Sequence, residues 1–419
     1  LPLSTGKPFS FGEKARLSLA TEENNMPLTR YLEKKVINQM RRIQVGAITW
    51  ESNGVSQVLG NPNDPLKATI TIDNPAFYKQ LAFRGSLGAG ESYVKGDWRC
   101  DDLTQLMQII IKNESILNTL DKRWAALGTL LRSLKNRLSH NHVKRNKKNI
   151  LAHYDLSNAL FERFLDPSML YSSAIFANEE QSLEAAQHNK LRLICERLAL
   201  KPTDHLLEIG TGWGALALYA AQEYGCQVTT TTISEAQYTH TEDLIKQRGL
   251  QDRITLCRQD YRHLTGSYDK IVSIEMIESI GHHYFTRYFK TCDHLLKKGG
   301  TLLLQAITMN DQEYPRYKQE LDFIKAYIFP GGCLPCIAQM ARDMQKHTQL
   351  QIREIHDIGL HYARTLALWN KNFQDNAEAI QALGFDERFL RLFQFYFTYC
   401  EAGFLSRYIS NVHMIIEKN

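Results

Sequence analysis

Asp204-His205-Leu206-Leu207-Glu208-Ile209-Gly210-Thr211-Gly212-Trp213-Gly214 decides the fold of this 419-residue chain. A short, largely apolar run ended at once by a glycine-rich turn reads as a buried strand that stops where a helix begins. Outward from it, Trp213 to Tyr224 reads as a helix, Gln227 to Thr232 as a strand and Glu235 to Arg248 as a helix. Arg253 to Cys257 and Lys270 to Ile274 follow as strands, His283 to Leu296 as a helix and Thr301 to Ile307 as a strand. An excursion over about 310–345 interrupts the alternation, and a helical segment over about 363–408 precedes a last strand, Asn411 to Glu417. This texture predicts a doubly wound, mostly parallel α/β sheet across residues 150–419.

Residues 1–115 read as a smaller N-terminal α+β domain. Thr69-Ile70-Thr71-Ile72 alternates like a strand, and Gly85, Gly88, Gly90 and Gly96 punctuate a stretch expected to be rich in turns. Residues 116–149 join the two parts, and between Asp121 and Asp155 they hold basic residues without an acidic one: Lys122, Arg123, Arg132, Lys135, Arg137, Lys144, Arg145, Lys147 and Lys148. Leu117, Leu120, Trp124, Leu127, Leu131, Leu134 and Leu138 add an apolar stripe at helical spacing. Such a helix suits an anionic membrane face, where each Lys or Arg contributes about 1 kcal/mol. Packing on the chain's own core, or a homodimer seam, would use the same stripe. Few aromatic residues interleave the charges, which argues against nucleic acid as the partner.

Hydrophobic residues make up 43% and charged residues 23%, with a net charge of +5, so the chain can bury a core without covalent staples. The eight cysteines are scattered, and no stretch near Leu1 reads as a secretory leader, which together fit a reducing cytoplasmic compartment. Cys333 and Cys336 form one close pair with no second pair beside it, so no zinc site or other metal site is expected. No apolar run reaches the about 20 residues that a membrane span needs. Lipid would be met from the side, at the inner face of the membrane.

The spacing of the glycine loop points to its ligand. A dinucleotide fingerprint is G-x-G-x-x-G, with a helix N-terminus facing a pyrophosphate. Here Gly210, Gly212 and Gly214 are spaced G-x-G-x-G, with Glu208 just ahead of them. An acid at this place repels a phosphate but suits the cationic methionine end of S-adenosylmethionine. Thr232-Ile233 and Gln237 after the second strand are placed for ribose and adenine contacts, and Asp260-Tyr261 after the third for the adenine edge.

With these residues in hand, the chain resembles the cyclopropane-fatty-acyl-phospholipid synthases and mycolic acid cyclopropane synthases. The resemblance rests on His153-Tyr154-Asp155-Leu156-Ser157-Asn158, Asp166-Pro167, Tyr171-Ser172-Ser173-Ala174, the glycine loop, Asp260-Tyr261-Arg262 and Glu275-Met276-Ile277-Glu278. It continues through Tyr327-Ile328-Phe329-Pro330-Gly331-Gly332-Cys333-Leu334-Pro335 and Tyr362 with Thr365, Leu366 and Trp369. Gly85 with Gly88, Glu91 with Tyr93, and Gly96-Asp97-Trp98 resemble the N-terminal lipid-binding or dimerisation domain of the longer bacterial synthases.

The resemblance implies a class I S-adenosylmethionine-dependent methyltransferase, Rossmann-like in fold. It would act on the cis double bond of an unsaturated phospholipid acyl chain and close a cyclopropane. Tyr171 and Ser172 would join the cofactor site. A bound bicarbonate would act as base, held by Glu278, Tyr362 and the backbone amides of Ser173 and Ile307. Gln305 stands where the family carries histidine, and Ser279 replaces a second one, with His282 and His283 near enough in sequence to compensate. These departures put the fate of the cation in question, so a methyl- or methylene-branched chain is the alternative product. A small-molecule methyltransferase, as in the plant alkaloid N-methyltransferases, and a non-catalytic protein that binds S-adenosylmethionine and lipid are the other readings.

Overall fold

The computed structural model describes residues 26–117 and 156–419. The chain divides into two compact units, residues 1–129 and 130–419. The basic stripe expected over 116–149 lies almost wholly outside the described residues, as do His153, Tyr154 and Asp155.

In the first unit, helix α1 (Met26–Met40) precedes strands β1 (Ala47–Ser52), β2 (Val55–Gly60) and β3 (Lys67–Ile72). Helix α2 (Ala76–Lys95), strand β4 (Trp98–Cys100) and helix α3 (Leu103–Lys112) follow, and the sheet order is β2-β1-β3-β4. The expected Thr69–Ile72 strand is present as β3. The glycine-rich stretch is not a run of turns but a 20-residue helix kinked at Gly85. Its glycines allow close approach: a Cβ on Gly88 would come 2.2 Å from the Gln80 carbonyl oxygen. Gly96, at φ 83°, caps the helix in the left-handed region.

The second unit is built on seven strands: β5 (His205–Ile209), β6 (Gln227–Thr231), β7 (Ile254–Cys257), β8 (Tyr268–Ile274), β9 (Leu296–Met309), β10 (Leu350–Asp357) and β11 (Ile409–Lys418). Their order is β10-β11-β9-β8-β5-β6-β7, with β11 antiparallel to both neighbours. The labelled helices of this unit are α4 (Leu183–Arg197), α5 (Ala215–Tyr224), α6 (Glu235–Gln247), α7 (Phe285–Leu295), α8 (Ile337–His347), α9 (Gly359–Asp375), α10 (Ala377–Ala382) and α11 (Glu387–Leu405).

Strand residues point alternately to opposite faces, and each face buries its own set. Leu206, Val272, Leu303 and Ile415 pack with Leu191 and Ile194 of α4, Leu216 of α5 and Ile245 of α6. Leu207, Ile271, Leu302, Leu304, Met414 and Ile416 pack with Phe285 and Phe289 of α7 and Met340 of α8. A third, aromatic cluster joins Phe164, Trp369, Phe373, Phe393, Tyr396 and Phe397, so the aromatic face of α11 is packed in the core. In this unit helix α4 and edge strand β10 were not anticipated. The excursion after β9 holds a helical turn at Tyr314–Tyr317, a π-helical turn at Ile324–Ile328 and the start of α8.

Candidate active site

Strands β5 to β8 run parallel, so their C-terminal ends share one edge, and the residues after each end gather there. Gly210, Gly212 and Gly214 adopt φ of 100°, 53° and 89°, all left-handed, which only glycine takes without strain. A Cβ at Gly212 would meet nothing within 4 Å, leaving room over the backbone for a ligand. At Gly214 it would come 2.7 Å from Thr241 Cγ2, where the loop presses on α6.

Several of the expected cofactor residues are engaged with neighbouring side chains. Glu208 lies beneath the loop, 3% exposed, accepting hydrogen bonds from Thr230 at 2.6 Å and Thr211 at 3.4 Å. Burial pushes its carboxyl up to about 8. Thr232 donates to Gln237 Oε1 at 2.7 Å, while the Ile233 side chain stands 76% exposed at the end of β6, an apolar surface suited to a flat ring. Asp260 receives the backbone and guanidinium N–H groups of Arg262, whose hydrogen bonds bring its carboxyl down to about 2. Tyr261 is buried against Tyr288. Ser172 Oγ accepts from the fully buried Lys190 at 2.6 Å, and Tyr171 shares a 2.9 Å hydrogen bond with Tyr396. Burial lowers the Lys190 ammonium to about 8. A glycine open on its ligand side at 212, an acid beneath the loop and an exposed apolar residue after the next strand fit an adenosyl group carrying no phosphate.

A second cluster forms directly beyond β8, and it centres on Glu275 instead of Glu278. Glu275 has φ 48°, the left-handed region that a non-glycine residue rarely holds. That turn aims its carboxylate inward. Oε1 accepts from the Ser173 backbone N–H at 3.0 Å, Gln305 Nε2 at 2.7 Å and Asn411 Nδ2 at 2.7 Å. Oε2 accepts from the Tyr362 hydroxyl at 2.9 Å. Gln305 and Asn411 reach it because β8, β9 and β11 are adjacent, with the Glu275 backbone N–H itself bonded to the Gln305 carbonyl at 2.8 Å.

Glu278 sits one turn on, in a short 3-10 helix. Its Oε1 accepts the Ile307 backbone N–H at 2.6 Å, and its Oε2 is buried without a partner. Burial first, then the nearby Glu275 charge, push its carboxyl up to about 8. The Pro330–Cys333 turn closes over this loop: Cys333 N–H donates to the Glu278 carbonyl at 2.7 Å, and a Cβ on Gly332 would come 3.2 Å from that oxygen. Gly210 faces the same loop, its Cβ position 3.5 Å from Met276 Cγ, so the cofactor loop and the two glutamates are neighbours.

The expected donors therefore divide. Ser173, Gln305 and Tyr362 converge on Glu275, and Ile307 alone of that group serves Glu278. His282 and His283 do not compensate for Gln305 among the described contacts: their rings lie tilted against each other at 3.8 Å, and His283 is exposed. Ser279 turns back onto the Met276 carbonyl at 2.7 Å. Glu275, Asn411 and His413 carry no site role in the sequence pattern alone, although Glu275 stands in the Glu275–Glu278 motif. Two acids three residues apart, immediately beyond a parallel strand, were the available signal.

Aromatic rings pack around Tyr362. Tyr171 lies 5.2 Å from Trp369, Tyr362 lies 4.7 Å from Phe404, and Trp369 Nε1 is buried without a partner. No helix among the described residues is long and apolar enough to cross a membrane.

Comparison with known proteins agrees with this architecture. A family profile described as mycolic acid cyclopropane synthetase matches residues 141–414. The cyclopropane-fatty-acyl-phospholipid synthase of Escherichia coli is 36% identical over 349 residues, covering 82% of this chain and 86% of that one. The tuberculostearic acid methyltransferase of Mycobacterium tuberculosis is 34% identical over 354 residues, covering 83% of this chain and 82% of that one. Among solved structures, a mycolic acid cyclopropane synthase complexed with SAH and CTAB is 30% identical with a TM-score of 0.59, over 64% of this chain and 97% of that one. The chain belongs to the mycolic acid cyclopropane synthetase family and is an S-adenosylmethionine-dependent methyltransferase with a class I, Rossmann-like fold.

Proposed function

We propose that this enzyme methylates the cis double bond of an unsaturated phospholipid acyl chain, and that Glu275 is the base that completes the reaction. The observation that carries the reading is the convergence of four donors, from Ser173, Gln305, Asn411 and Tyr362, on one half-buried carboxylate. The family resemblance assigns a similar donor set to a bicarbonate ion. In this chain a side chain brings an equivalent planar anion to those donors, so no free bicarbonate is required.

When bound, S-adenosylmethionine supplies an electrophilic methyl group. The residues have three tasks: to hold the alkene against that carbon without water, to stabilise the cation left on the acyl chain, and to take a proton. Tyr362, which donates to Glu275, and the neighbouring rings of Trp369 and Tyr171 suit the second task, because the face of an aromatic ring attracts positive charge. For the third, Glu275 Oε1 is filled by three donors, which leaves Oε2 as the accepting atom. A C–H bond of the newly attached carbon breaks, its electron pair closes the cyclopropane, and the proton goes to Oε2. Burial and the nearby Glu275 charge raise the Glu278 carboxyl to about 8, which disfavours a second negative charge in the same pocket.

A second reading keeps the site and changes the product. Should a hydride move along the acyl chain before the proton leaves, the same base yields a methylene branch. Similarity to one relative named a cyclopropane synthase and another named a methyltransferase supports keeping both outcomes in view. Docking from the cytoplasmic side, on the inner membrane face, and pairing into a homodimer rest on the basic apolar stripe between residues 116 and 149.

The test uses vesicles of dioleoylphosphatidylglycerol and trideuteromethyl-labelled S-adenosylmethionine, with fatty acids read by mass spectrometry. Either product retains two of the three deuterons, and ring and branch separate by fragmentation. Retention of all three would show that the proton leaves the acyl chain and not the transferred carbon. Labelling of soluble amines in preference to vesicles would replace the lipid reading.

A further inference from the structure

Behind Glu275 a line of buried polar groups crosses the sheet. Gln305 and His413 are directly opposed on β9 and β11, as are Ile307 and Asn411 two residues along. Side chains two apart on a strand share a face, so Asn411 and His413 lie on one side, with Gln305 across from His413. Both His413 and Gln305 are wholly buried. His413 Nε2 lies 2.8 Å from Gln305 Oε1, and His413 Nδ1 is in hydrogen-bond contact with Arg197 Nη1, from the last turn of α4.

The polarity of this line follows from its outer end. A guanidinium only donates, so His413 Nδ1 must accept. The proton of a neutral imidazole then sits on Nε2 and donates to Gln305 Oε1. The amide is thereby oriented with its NH2 toward Glu275, which it meets at 2.7 Å. A Gln amide can turn over with little change in shape, and the reversed form would set its oxygen against the carboxylate. Burial, with Arg197, Lys190 and His356 nearby, holds the imidazole pKa well below the usual histidine value, consistent with a neutral ring.

We propose that His413 and Arg197 are positioning residues for the reaction: they lock the Gln305 amide so that its NH2 faces the Glu275 carboxylate. The inference rests on the reading of Glu275 as the base. An amide does not relay a proton, so the line orients and does not conduct. Its effect is on the chemical step, with cofactor binding left to the glycine loop.

The experiment is a double-mutant cycle on the full chain, with dioleoylphosphatidylglycerol vesicles and S-adenosylmethionine. His413→Leu is expected to lower kcat about tenfold with the KM for S-adenosylmethionine changed less than about twofold. In a Gln305→Leu background the same change is expected to add less than about twofold, because its target is already gone. His413→Gln, which retains a donor toward Gln305, is expected to stay within about threefold of the parent and covers the case in which His413→Leu does not fold. Multiplicative losses in the double variant, an unaltered kcat in His413→Leu, or a His413→Gln loss as large as that of His413→Leu would overturn the proposal. Glu275→Gln separates the two claims. A parental rate in that variant removes the base itself, whereas its loss beside a fully active His413→Leu removes only the positioning role.

Discussion

The Tyr362 hydroxyl donates to Glu275 Oε2 across 2.9 Å while its ring stacks on Phe404 at 4.7 Å. Burial and the adjacent carboxylate push the phenol far above its ordinary pKa, so it remains an O–H donor throughout the working range. One residue thus fixes the oxygen proposed to take the proton and offers an aromatic face beside it.

Tyr362→Phe keeps the ring and removes that single donor. The expected result is a fall in kcat of about tenfold to a hundredfold, with little change in S-adenosylmethionine affinity. Steady-state kinetics on monounsaturated vesicles, with calorimetric binding of the cofactor, check both halves.

Glu278 gives a pH signature of stability. Its folded carboxyl is raised from 4.5 to about 8, so the folded state holds a proton that the unfolded state releases above 4.5. Stability from this group is complete below pH 4.5 and is lost as pH rises through about 8. Glu278→Gln removes the contribution, and its melting temperature, measured without cofactor, should decline less between pH 5 and 8 than that of the parent. Glu208, raised in the same direction, keeps the variant's slope from vanishing. Identical slopes would place Glu278 in an ionised state.

The glycine loop offers a test of shape. Gly214→Ala meets both a left-handed φ of 89° and a Cβ position 2.7 Å from Thr241 Cγ2. A loss of about 1–3 kcal/mol in stability is expected, with weakened cofactor binding. Adding Thr241→Ser removes the obstructing methyl and should recover part of the loss, leaving the φ strain. Denaturant unfolding of the single and double variants measures the two parts.

The sheet was legible because buried strands and amphipathic helices differ in period, and β5 to β9 each showed that period between clear breaks. Strand β10 did not: Leu350 to Asp357 mixes charged and apolar residues, carries a register shift between Ile352 and Glu354, and lies at the sheet edge with little burial. In the N-terminal unit, glycine content suggested turns where Gly88 instead lets a kinked helix approach its own backbone. At the site, the residue types were readable but their convergence was not. Whether Glu275 or Glu278 faces Gln305 depends on one left-handed backbone angle, which no spacing rule reveals. Asn411 and His413 were read as strand, yet their partners across the sheet follow only from the β9–β11 register.

The central claim, that Glu275 stands in for an exchangeable anion, is tested most directly by bicarbonate dependence. Glycine at this position accepts φ 48° without strain and opens the donor cradle of Ser173, Gln305, Asn411 and Tyr362. In buffer stripped of carbon dioxide the parent should retain its full rate of methyl incorporation into vesicles. Glu275→Gly should be nearly inactive there and regain activity as bicarbonate is added. A parent enzyme that loses activity on removal of bicarbonate, or a Glu275→Gly variant equally active with and without it, would contradict the account.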